Sequence, residues 1–202
     1  MSHLEPPPMT DPAAARLYDA DRARFGYVAN YTRVLALRPA ALEAWQALGA
    51  AVKSTMDLRR FELATFAAAR RLRSRYCSLA HAKVLRDRFY DDEALERIAA
   101  DHHAAGLSEV DVAVMDFADR VAGDPNSVTA EHVRVLRGLG LTDPEILDVA
   151  LTAAARCFFS TVIAAAGAEP DPAYDTALAP GVRAAVGQFH GLHQAAGVPS
   201  HE

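Results

Sequence analysis

Cys77 and His81 stand four residues apart in the segment Ser74-Arg75-Tyr76-Cys77-Ser78-Leu79-Ala80-His81. A helix turns about 100° per residue, so the two lie about 40° apart around the axis and one turn apart along it, where side chains meet. A thiol with an imidazole in reach is a nucleophile with its base. Ser74 is of the N-cap type. As the cap it puts Cys77 at the third helical position, where unpaired backbone N–H groups and the positive end of the helix dipole favour a thiolate. Twelve residues before Ser74, in the run Phe61-Glu62-Leu63-Ala64-Thr65-Phe66-Ala67-Ala68-Ala69-Arg70, Glu62 is the lone carboxylate in a stretch suited to packing. If the chain breaks near Arg73 and returns antiparallel or crosswise, Glu62 reaches the pair, fixes the imidazole tautomer and relays a proton.

Each of these residues also has a structural reading. A cysteine on an alanine-rich helix is commonly a small buried hydrophobe, and a histidine four residues on is often surface. Glu62 can pair with Arg59 or Arg70 along its own helix, and Ser74 can serve as a cap and nothing more. Glu62, Cys77 and His81 as three mixed metal ligands lack a partner motif, so no metal site and no cofactor is expected. His102 and His103 follow Asp101 near a helix end, which suits a solvated structural role. Cys157, in Arg156-Cys157-Phe158-Phe159, has an apolar setting that suggests core, with a role as a resolving thiol for Cys77 as the minor reading.

The elements that would carry these residues are all helical. Asp11-Pro12 opens a helix closed by Gly26, Tyr27 to Leu37 is a short helix or turn, and a helix from Pro39 carries Leu42, Trp45, Leu48 and Val52 three to four residues apart. Asp57 caps the Glu62 helix and Ser74 the Cys77 helix. Asp91 and Ser108 start two more, with Gly106 as the C-cap between them. Gly123-Asp124-Pro125-Asn126 is a turn, a helix runs from Thr129 to Leu139, and Thr142 with Glu145 forms a capping box opening a long helix to about Ala166. No alternating strand-length run occurs, so the fold class is all-α. One domain spans 11–168, preceded by a flexible leader over 1–10 and followed over 169–202 by a loop, a short helix and a tail.

The 202 residues carry a net charge of -5 and a pI near 5.9, with no extended basic cluster, which argues against nucleic acid as a partner. The N-terminus lacks the basic patch and apolar core of a secretory signal, and no apolar run is taken to approach membrane-spanning length, so the expected setting is cytoplasmic with no membrane. Two cysteines eighty residues apart in such a chain are expected to be free thiols.

Glu62, Ser74, Cys77 and His81 resemble, in register, the core motif of the carboxymuconolactone decarboxylase and alkylhydroperoxidase D-like superfamily: a glutamate, then Cys-x-x-Cys, then a histidine four residues after the second cysteine. Arg24-Phe25-Gly26-Tyr27-Val28-Ala29-Asn30-Tyr31 and Leu37-Arg38-Pro39 look like the lead-in of its peroxidase-related branch, and Gly140-Leu141-Thr142-Asp143-Pro144-Glu145-Ile146-Leu147-Asp148 like its distal half. The resemblance implies an alkylhydroperoxidase D-like helical bundle that forms homo-oligomers and reduces organic or hydrogen peroxide with no cofactor. In that scheme Cys77 is the nucleophile, His81 and Glu62 relay protons, and Ser74 hydrogen-bonds the thiolate. The chain departs from the family at Ser74, which replaces the first cysteine, so the local disulfide cannot form. Sulfenic acid on Cys77 would need Cys157, another subunit or an external thiol as reductant. The decarboxylase branch implies the alternative of a cofactor-free lyase using His81 and Glu62 on a small carboxylated ring, and a third reading is a redox-silent oligomeric binding protein.

Overall fold

The computed structural model describes residues 2–188. Among these there is no strand, and the chain is built from eleven α-helices: α1 (Pro12–Phe25), α2 (Asn30–Leu35), α3 (Pro39–Lys53), α4 (Leu58–Arg71), α5 (Arg75–Arg88), α6 (Asp92–Ala100), α7 (Glu109–Gly123), α8 (Ala130–Gly138), α9 (Asp143–Ala165), α10 (Ala173–Ala177) and α11 (Pro180–Gly187). The helix starts follow the capping chemistry of the sequence. The side chains of Asp11, Asp57, Asp91 and Ser108 each accept a hydrogen bond from a first-turn backbone N–H of α1, α4, α6 and α7. Glu145 Oε2 accepts from the Thr142 backbone N–H at 2.8 Å at the start of α9.

α4 is the central helix. Nine consecutive residues, Phe61 to Ala69, are buried, because α5, α7 and α9 pack around it. Its alanines let these neighbours approach, and a helix apolar on every side is a core helix. α9 lines the same core through Val149, Ala153, Phe159 and Ile163. At 23 residues it is long and, over an 18-residue window, apolar enough to cross a membrane by length and composition alone, which corrects the expectation that no run approaches that length; here its inner face is core.

The break near Arg73 is present, and its form was not foreseen. Arg73 adopts φ 54°, the left-handed region that non-glycine residues rarely enter. The Ser74 N–H donates to Ala69 O at 3.0 Å, closing α4 in a Schellman-type turn from which α5 starts at once.

Two boundaries differ from expectation. α6 stops at Ala100, well before Gly106, because Asp101 turns extended and its carboxylate accepts from the His103 N–H, drawing the chain into a side-chain turn. The stretch from 169 to 181, expected as a loop, holds α10 and a buried Asp171. Asp171 accepts from the Asn30 N–H at the start of α2 and from the Tyr76 hydroxyl on α5, so this stretch caps one helix and pins another. Residues 2–10 have no helix, and are tied down where His3 N–H donates to Ala166 O and Tyr18 Oη to Pro7 O. The expected C-terminal tail lies outside the described residues beyond Gln188.

Candidate active site

Glu62 and His81 meet where α4 and α5 cross back on each other. His81 Nδ1 lies 2.6 Å from Glu62 Oε2, and the Glu62 side chain is 3% and that of His81 13% exposed. Burial by itself pushes a carboxyl pKa up, but the adjacent His81, then Lys53 and Arg156, outweigh it and hold Glu62 below the usual carboxylate range. Burial first, and the Arg156 charge second, push His81 below its ordinary value against the pull of Glu62. The pair is therefore a carboxylate and a neutral imidazole near neutral pH. A carboxylate can only accept, so the proton sits on Nδ1 and the Nε2 lone pair is the basic one. Lys53 Nζ, on the last residue of α3, stands 3.9 Å from Glu62 Oε1 and over the Phe61 ring.

Cys77 is in the first turn of α5, as the cap predicted. Ser74 Oγ accepts from the Cys77 backbone N–H at 3.4 Å, so this hydroxyl is engaged as an N-cap. The hydrogen-bond partners of Cys77 Sγ come from α9: Ser160 Oγ at 3.2 Å and Arg156 Nη1 at 3.4 Å. Among the described residues no hydrogen bond joins Sγ to His81 or to the Ser74 hydroxyl, and this replaces the expected Ser74 contact with one from Ser160. The thiol is 1% exposed.

Arg156 and Ser160 were absent from the sequence reading, which took the surrounding Arg156-Cys157-Phe158-Phe159 as core. A signal was there: Arg156 is the only charged residue between Asp148 and the end of α9. A lone charge within an apolar helix must be compensated if that face is buried. Arg156 is 6% exposed, with its guanidinium over the rings of Trp45 (5.5 Å) and Phe159 (5.3 Å), which themselves stack at 4.1 Å. Trp45 Nε1 is fixed by Ala155 O. Among the described residues no carboxylate stands within ion-pairing distance of Arg156, and its Nε has no hydrogen-bond partner. Cation–π contacts supply on the order of 1–2 kcal/mol, less than the several kcal/mol needed to bury an ion. Cys77 Sγ is the polar contact of the guanidinium, at 3.4 Å, and the Glu62 carboxylate interacts with its charge at longer range.

Cys157 follows Arg156 and so points about 100° away from it around α9. Both cysteines are free; Cys157 is half-buried, and burial pushes its thiol up. Two cavities, of about 550 and 330 Å³, open elsewhere, and neither is lined by Cys77, His81 or Glu62. His103 is exposed and His102 partly so, in keeping with the expected solvated setting, and both face Asp116 on α7 across the turn after α6.

No protein-family model and no curated protein matches the chain. Solved structures do. An uncharacterized peroxidase-related protein from Ralstonia eutropha JMP134, described as an alkylhydroperoxidase AhpD core, superposes with a TM-score of 0.76 at 22% identity, over 86% of this chain and 94% of its own. A peroxidase-related protein from Silicibacter sp. TM1040 gives 0.76 at 21% identity, over 86% and 93%. The debrominase Bmp8, as its C82A variant in complex with 2,3,4-tribromopyrrole, gives 0.73 at 13% identity, over 88% and 96%. The chain has the all-helical fold of the AhpD-like, peroxidase-related proteins.

Proposed function

We propose that the protein is a peroxidase-like oxidoreductase in which Cys77 is the reactive thiol, reducing organic or hydrogen peroxide. The observation that carries this reading is the buried Arg156, which has no carboxylate partner among the described residues and lies on Cys77 Sγ. A guanidinium and a serine hydroxyl there stabilise negative sulfur before attack and sulfenate oxygen after it. His81 Nε2 takes the thiol proton. The thiolate attacks the distal peroxide oxygen, the O–O bond breaks, and the proton returns from His81 to the leaving alkoxide, giving an alcohol and Cys77 sulfenic acid. Glu62 holds the imidazole in the required tautomer. Two equivalents of an external thiol then restore Cys77, releasing water and a disulfide; Ser74 supplies no resolving sulfur. The test is peroxide consumption with a small dithiol, with a dione trap for sulfenic acid. Trapping on Cys77, retained in Cys157→Ser and lost in Cys77→Ser, is the expected result; peroxide consumption undiminished in Cys77→Ser overturns the reading.

The Glu62–His81 pair favours a second reading, since it is closed on itself at 2.6 Å and, among the described residues, no hydrogen bond joins His81 to Cys77. With Lys53 and Arg156 to attract a carboxylate, the same pair can run acid–base chemistry as a cofactor-free lyase. There His81→Ala abolishes turnover of a lactone acid while Cys77→Ser is tolerated. The fold shared with a debrominase adds small brominated aromatics to the compounds worth assaying. Homo-oligomerisation is part of the proposal, supported by Leu147, Leu151 and Phe158, exposed along the outer face of α9, and by Leu48 on the adjoining α3. Sedimentation of Leu151→Asp/Phe158→Glu tests it, a shift to monomer being the expected result.

A further inference from the structure

The turn between α6 and α7 gathers a second set of reactive side chains, unconnected to Cys77. Asp116 Oδ1 lies 2.8 Å from His102 Nε2 and 2.9 Å from His103 Nε2, while Asp101 Oδ1 stands 3.2 Å from His103 Nδ1. The backbone enforces this. Asp101 ends α6 and takes the His103 N–H, and Gly106 at φ 76° closes the turn; the two successive imidazoles lie with centroids 4.1 Å apart and planes tilted by 34°. Donor atoms of Asp101, His102 and His103 all fall within 4.8 Å of one another.

We infer that His102, His103 and Asp116 form a binding site for a divalent transition-metal ion of the zinc or cobalt class, with Asp101 as the carboxylate that orients His103. Donors each about 2.1 Å from one ion stand about 3.0 Å apart at a right angle and about 3.4 Å apart at the tetrahedral angle, close to the separations of Asp116 from both Nε2 atoms. Imidazole nitrogens with a carboxylate oxygen are the donor set for zinc, cobalt or nickel and a poor one for calcium or magnesium. Asp101 on the far nitrogen of His103 makes the carboxylate–histidine–metal arrangement that fixes ring and tautomer. His103 is half-exposed, and it forms part of the wall shared by the two cavities of about 550 and 330 Å³. Three protein donors facing open space leave a coordination position for water or an exogenous ligand.

Titrating the full chain with Co²⁺, followed by ligand-field absorption and competed by Zn²⁺, tests the site. One ion per chain is expected, without thiolate charge-transfer absorption. His102→Ala, His103→Ala and Asp116→Asn should each weaken binding at least about tenfold, and Asp101→Asn by about 10–100-fold through loss of the orienting carboxylate. Unchanged binding in His102→Ala/His103→Ala, no ion bound at all, or a thiolate band that disappears in Cys77→Ser overturns the inference. These positions are on the surface, so equal unfolding midpoints among the metal-free variants will separate lost ligands from lost fold.

Discussion

Arg59, at the start of α4, and Arg156, midway along α9, are both drawn toward the protein interior, with different surroundings. Arg59 is about a third exposed and donates to the buried Asp111 at 2.6 Å and to Tyr90 at 3.1 Å; Arg60 stands 3.5 Å from the other Asp111 oxygen, and Ser108 adds a hydroxyl. That cluster gives Arg59 a carboxylate at contact distance and ties α4 to α7. Arg156 is more deeply buried and faces two aromatic rings and a sulfur instead of a carboxylate. A carboxylate in contact makes Arg59 a structural device, whereas Arg156 has a thiol in contact, and the proposed function turns on that difference.

Substitutions can break this contrast in order of size. Cys77→Ser is expected to lower peroxide turnover by about 10³-fold or more, equivalent to about 4 kcal/mol of transition-state stabilisation, while the Arg59 cluster is untouched; stopped-flow peroxide consumption measures it. Asp111→Ala should instead leave the chemistry in place and destabilise the fold by about 2–3 kcal/mol, below the range for fully buried pairs because Arg59 and Arg60 can turn toward water. Denaturant unfolding with an activity assay separates the two. Arg156→Met replaces an ion by an apolar side chain of similar length, so stability should change by no more than about 1 kcal/mol, while alkylation of Cys77 slows about 10–100-fold.

The pH profile sharpens the same contrast. His81 is held below its ordinary value, so it remains a base below about pH 6.5 and the acid limb of activity should lie under that pH. Arg156→Met removes a charge that disfavours imidazolium, and the limb should move up toward 6.5. Glu62→Gln removes one that favours it, and the limb should move down. Arg59→Met, remote from the pair, should move neither. The smallest effect belongs to the α4–α5 break: Arg73→Gly relieves a left-handed residue and should stabilise by about 1 kcal/mol in thermal unfolding.

Local chemistry made most of the helices legible. Asp11, Asp57, Ser74, Asp91, Ser108 and Thr142 are caps whose side chains find their backbone partners within a turn, and the return of Glu62 onto His81 follows from two such helices joined at a tight break. What escaped was the work of residues distant in sequence. Arg156 and Ser160 reach Cys77 only because α9 crosses α5, and Asp171 caps α2 across more than a hundred residues. Gly106 looked like the end of α6 because glycine is the usual terminator; Asp101 ended it earlier with its own side chain. Helical periodicity records which faces are buried and is silent about which faces meet.

The nine consecutive buried residues of α4 have a kinetic meaning. Amide protons on such a segment should exchange with solvent near the rate of global opening, since baring a helix enclosed by three others means separating them. Glu62 is on that segment, so its carboxylate keeps its address for as long as the protein is folded. Lys53, the last residue of α3, reaches the same carboxylate from the rim, with its side chain about two-fifths exposed and its Nζ 3.9 Å from Glu62 Oε1. The charge of the Glu62–His81 pair is thus governed from the core by one enclosed group and from the rim by one that water reaches.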